Sequence, residues 1–100
     1  MDFVKESMQE WLEQLESEKK ELADNIKAAE VALEVLRAKF FIAERAMKKL
    51  PHRKHKDFYE KYVKPLEEEV DTREELIEKQ KAENREKINE LNALIETLKE

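Results

Sequence analysis

The chain has no glycine and no cysteine, and only two prolines and seven aromatic residues in its 100 positions. Without glycine no residue takes a left-handed turn cheaply, so reversals must be few and the length must go into a small number of long helices. Without cysteine there are no disulfide staples and no thiolate metal ligands, and the redox compartment is left open. No apolar run approaches the roughly 20 residues of a membrane span. The first residues, Met1-Asp2-Phe3-Val4-Lys5-Glu6, have neither the basic start nor the apolar centre of a signal peptide, so the expected location is the cytoplasm.

What the chain does have is charge, at 45% Asp, Glu, Lys and Arg with a net −5, in a composition typical of long helices and coiled coils. From Met8 to Leu50 an apolar residue recurs at spacings of four and three: Met8, Leu12, Leu15, Lys19, Leu22, Ile26, Ala29, Leu33, Leu36, Phe40, Ala43, Met47, Leu50. Lys19 alone in that seam is polar. The pattern predicts a first helix over about 2–49, starting near Asp2 or Ser7 and stopping before Pro51, because the residue preceding a proline disfavours the helical region. A basic turn over about 50–56 follows. A second helix over about 57–99 restarts at Asp57 with Glu60 as its capping partner.

The second helix has a weaker seam, Tyr59, Val63, Leu66, Val70, Arg73, Ile77, Gln80, Asn84, Ile88, Leu91, Ile95, Leu98, whose spacing slips once between Asn84 and Ile88. Pro65 falls inside it, so the helix is either kinked there or broken; a break would give a three-helix bundle. Folding back at the turn pairs residues whose numbers sum to about 106: Leu91 meets Leu15, Val63 meets Ala43, and the amides of Gln80 and Asn84 face Leu22, Asn25 and Ile26. Such a polar layer can fix register. Acid-first pairs four residues apart, such as Asp57/Lys61 and Glu69/Arg73, stabilise the outer surfaces. The expected fold is therefore all-α, a long antiparallel helical hairpin in a single domain spanning residues 1–100.

One sticky stripe per helix suffices for a hairpin, yet the first helix has two. Ala28, Val31, Val35, Ala38 and Ile42 recur at three and four on its far side from the seam. A third segment of the chain after a break at Pro65, a second copy forming a four-helix bundle, or a groove on another protein would each cover this stripe. The second copy is the favoured covering, since a lone two-helix hairpin has a thin core for its surface.

The turn region collects Lys48, Lys49, Arg53, Lys54, Lys56, Lys61 and Lys64 against Asp57 and Glu60, so it is net +5 and the remaining residues total −10. With Phe58, Tyr59 and Tyr62 close by, it suits phosphates, anionic lipid or an acidic protein surface; a solvated turn whose Lys48 and Lys49 complement the helix C-terminus, with the aromatics packed on Met47 and Ala43, is the plainer reading. His52 and His55 sit among basic side chains with no thiol, which opposes cation binding. The Glu-x-x-His spacing of di-iron bundles is absent, since Lys49 and His52 occupy the positions three before the histidines. No isolated acid–base pair, phosphate loop or nucleophilic triad is spelled. No catalytic residue, metal ligand or cofactor is expected, and the chain is not expected to be an enzyme.

In size and hairpin form the chain is similar to the small helical-hairpin substrates of type VII secretion. Its turn, Pro51-His52-Arg53-Lys54-His55, departs from their Trp-x-Gly, and Trp11 lies far from it in sequence, so that membership is not adopted. The expectation is a non-enzymatic interaction or adaptor module that self-associates and presents its basic tip to an anionic partner, with a nucleic-acid-binding or regulatory protein as the alternative.

Overall fold

A computed structural model describes residues 2–100 and shows an all-α helical hairpin. Helix α1 runs Phe3–Lys48; a short 3-10 turn, His52–Lys54, leads into α2, His55–Phe58; a π-helical segment, Tyr59–Val63, joins α2 to α3, Lys64–Lys99. Asp2 caps α1: its Oδ1 accepts from the Lys5 N–H at 3.1 Å and its carbonyl from the Glu6 N–H at 3.2 Å. At the other end the Lys49 and Leu50 N–H groups reach back three residues to Ala46 and Met47, both at 3.1 Å, tightening the last turn. Pro51 is extended (φ −56°, ψ 142°), its carbonyl accepts from the Lys54 N–H at 2.9 Å, and the His55 Nε2–H donates to the Leu50 carbonyl at 2.8 Å. The chain thus turns with no positive φ among the described residues. The Lys49 and Leu50 N–H groups thus serve the last-turn carbonyls that a glycine cap ordinarily serves, and the His55 ring holds the Leu50 carbonyl beyond the helix end.

Pro65 neither breaks the helix nor reverses the chain. Its missing N–H leaves the Lys61 carbonyl without a donor, and its ring crowds that carbonyl. The wide turn over Tyr59–Val63, in which the Lys64 N–H bonds the Tyr59 carbonyl five residues back, opens the helix where the ring needs room. The three-helix alternative required a reversal at this point, and the backbone stays helical through it.

The chain divides into two compact units. The first combines the residues up to Lys27 with Lys79–Glu100. Its core is Leu15, Leu91 and Ile95, against which Leu12, Leu22 and Leu98 pack. Asn84 Nδ2 donates to the Leu22 carbonyl at 3.3 Å beside a cleft of about 360 Å³ bordered by Leu22, Ile26 and Ile88, and Lys99 Nζ lies 3.4 Å from Glu16 Oε1. The second unit is Ala28–Glu78, with Leu33, Leu36, Val63 and Ile77 buried. There Arg37 bridges two carboxylates, Glu34 at 2.7 Å and Glu74 at 2.9 Å, which raises its already high pKa through those two hydrogen bonds.

The α3 seam differs from the expectation in one respect. Arg73 and Gln80 are exposed, and the residues that turn inward are Glu74 and Lys81, so Val70, Glu74, Ile77, Lys81, Asn84, Ile88 keep the four-three spacing with no slip. Long polar side chains can lay their stems along a seam while their heads find partners, and a search for apolar or amide residues passes over them. Among the described residues seven apolar side chains are buried and no polar or charged one is, which is a thin core for 100 residues.

Candidate functional site: an apolar face and a basic turn

The unit Ala28–Glu78 carries both surfaces that stand out. All five stripe residues, Ala28, Val31, Val35, Ala38 and Ile42, are exposed, with Val31, Val35 and Ile42 at 58%, 51% and 66%. No third segment among the described residues folds over them. A single exposed valine is ordinary, whereas five apolar side chains in helical register form a contiguous strip of the kind that marks an interaction surface.

The strip extends onto the other side of the hairpin. Lys39, Ile42, Ala43, Phe58, Tyr62 and Leu66 line an open groove of about 420 Å³, to which Ile42 contributes from the stripe. Phe58 and Tyr62 stack at 4.9 Å with their planes tilted by 48°, and Tyr62 remains 56% exposed. Phe58, Tyr62 and Leu66 recur every four residues, the signal by which this wall of the groove is legible once the segment is helical. Ala43, on which the plainer reading of the turn packs the aromatics, lines the groove with them. Nearby, Phe41 is 59% exposed and lies 5.7 Å from Phe40, ring to ring.

The turn keeps its charge free. Lys48, Lys49, Arg53, Lys54, Lys56, Lys61 and Lys64 are all exposed, and among the described residues only Lys61 of these seven makes an ion pair, to Asp57 at 3.2 Å. The rings of His52 and His55 lie 5.2 Å apart, while His55 is engaged with the Leu50 carbonyl. Among the described residues no group of three or more His, Cys, Asp or Glu side chains has the arrangement to hold a metal ion. Tyr59 belongs to the structure of the turn rather than to its surface charge. Its hydroxyl donates to Glu67 Oε2 at 2.6 Å, and that bond, then desolvation, then the charges of Glu67, Glu68 and Glu44 push its pKa up.

The unit thus presents an open apolar groove, a flanking apolar strip and, in the turn, six cations that make no ion pair among the described residues, which together offer contact area and positive potential. No helix among the described residues is long and apolar enough to cross a membrane. No protein-family model matches the chain, and neither the curated proteins nor the solved structures contain a match to it.

Proposed function

We propose that this protein is a non-enzymatic interaction or adaptor module that self-associates through Ala28, Val31, Val35, Ala38 and Ile42 and offers its basic turn to an anionic partner. The observation that carries the reading is the exposure of the stripe residues in a chain whose own core is thin. Covering Val31, Val35 and Ile42 removes apolar area from water at about 25 cal/mol per Å², a gain that the hairpin leaves unused. Symmetric dimers are the commonest way for a small chain to make it.

Sedimentation equilibrium of the parent protein and of a Val35→Glu/Ile42→Glu variant tests this. The parent is expected to be dimeric at tens of micromolar and the variant monomeric, with unchanged helicity by circular dichroism because both positions are exposed. A parent that stays monomeric across that range would overturn the reading.

A second reading, a nucleic-acid-binding or regulatory protein using the same turn, is supported by the six unpaired cations beside exposed Tyr62. The net −10 of the remaining sequence opposes any extended contact with a polyanion.

A further inference from the structure

The stripe is the middle of a longer register along α1, and its two ends have opposite charge. Continued toward the N-terminus at the same four-three spacing, the register reads Asp24, Glu21, Ser17, Gln14, Glu10; continued toward the C-terminus, it reads Arg45 and Lys49. Asp24, Arg45 and Lys49 are exposed, and none of the three makes an ion pair among the described residues. Lys49 stands one residue past the end of α1, fixed by its N–H to the Ala46 carbonyl at 3.1 Å.

A pattern that is acidic at one end, apolar in the middle and basic at the other is self-complementary only when reversed. Two antiparallel helices stack in layers whose residue numbers have a constant sum, and that sum must carry the register onto itself. A sum of 73 does so, pairing Val31 with Ile42, Val35 with Ala38, Ala28 beneath the aliphatic stem of Arg45, and Asp24 with Lys49. The neighbouring sums fit less well: 66 keeps Ala28 on Ala38 and Val31 on Val35 but sets Ile42, the largest stripe residue, on Asp24, and 80 keeps only Ala38 on Ile42 and sets Val31 on Lys49. A parallel pairing sets Asp24 on Asp24 and Lys49 on Lys49, and like charges in register repel.

The geometry points to a second copy of this chain as the occupant of the stripe, docked antiparallel with its two-fold axis between Leu36 and Arg37 and with Asp24 of each copy against Lys49 of the other. This inference rests on the self-association proposed above and adds its direction and register. Because Ile42 also lines the groove with Phe58 and Tyr62, Val31 of the second copy would sit at the mouth of that groove.

The chain has no cysteine, so single thiols report the register directly. Val31→Cys and Ile42→Cys variants, mixed, equilibrated and air-oxidised, are expected to give the mixed disulfide dimer with little of either homodimer, because Val31 of one copy faces Ile42 of the other. Homodisulfides at position 31 and at position 42, without the mixed species, would overturn the antiparallel arrangement while leaving dimerisation intact. Charge reversal supplies an independent readout. Asp24→Lys and Lys49→Asp, each alone, are expected to raise the dimer dissociation constant roughly tenfold by turning two exposed attractions into repulsions, and the double variant is expected to restore it. Failure of the double variant to recover would overturn the Asp24–Lys49 contact. A parent chain that never dimerises in sedimentation would overturn the self-association itself.

Discussion

The Asn84 side chain crosses from α3 to α1 and donates its Nδ2 hydrogen to the Leu22 backbone carbonyl at 3.3 Å. The two residue numbers sum to 106, the register at which the apolar seams of the two helices coincide. Two levels of the sequence therefore agree on one alignment: the four-three pattern brings Leu15 to Leu91 and Ile95, and one amide marks the layer.

That bond should matter for register more than for stability. The Leu22 carbonyl lies within α1, where the helix supplies its own donor, so losing Asn84 does not orphan it. Asn84→Leu, filling the cleft beside Leu22, Ile26 and Ile88, is expected to stabilise the hairpin by about 1 kcal/mol. Urea denaturation measures this. A loss of more than about 1 kcal/mol would mean that the amide is required for folding.

Much of the hairpin is legible in the sequence because it depends on periodicity. Of the thirteen seam positions from Met8 to Leu50, Leu15, Leu33 and Leu36 are buried, nine are half-buried and Met8 alone is exposed, a pattern that follows from spacing. The α3 seam was legible only where it is apolar. Glu74 is not legible because the reason it turns inward lies elsewhere: Arg37, 37 residues upstream, holds it, and no local pattern announces a partner at that distance. Pro65 signalled a disturbance whose form, a wide turn rather than a break, depends on where the freed backbone groups find donors. The stripe was legible as a pattern. Its groove was not, because Phe58, Tyr62 and Leu66 reach Ile42 only after the chain has turned.

The Tyr59 hydroxyl offers a spectroscopic handle on the turn. Donation to Glu67 favours the protonated phenol, so its folded-state pKa lies above the ordinary 10.0. By linkage, the associated stability is fully present below pH 10 and is lost as the pH rises through the folded-state pKa. In a Tyr62→Phe background, ultraviolet titration should show Tyr59 ionising later than a free tyrosine. Glu67→Ala should bring it back toward 10.0. An unshifted titration in the parent would mean that the bond does not form in solution.

The basic turn separates the two functional readings by the salt dependence and chemistry of what it binds. Six exposed cations without a partner create a compact positive site, and the stripe and seam lie outside the cluster Arg53, Lys54, Lys56. The triple variant Arg53→Glu/Lys54→Glu/Lys56→Glu is therefore expected to keep helicity and oligomeric state while losing affinity for a fluorescent poly-glutamate probe in anisotropy titrations. DNA and RNA of about 20 nucleotides are expected to be held weakly at low salt and released near 0.15 M, where the Debye length is about 8 Å. Weak retention follows because the acidic remainder of the chain repels a long polyanion that reaches past the turn. Tight nucleic-acid binding that persists at that salt, abolished by the same three substitutions, would replace the adaptor reading with the nucleic-acid one; poly-glutamate binding that survives the triple variant would remove the turn from either.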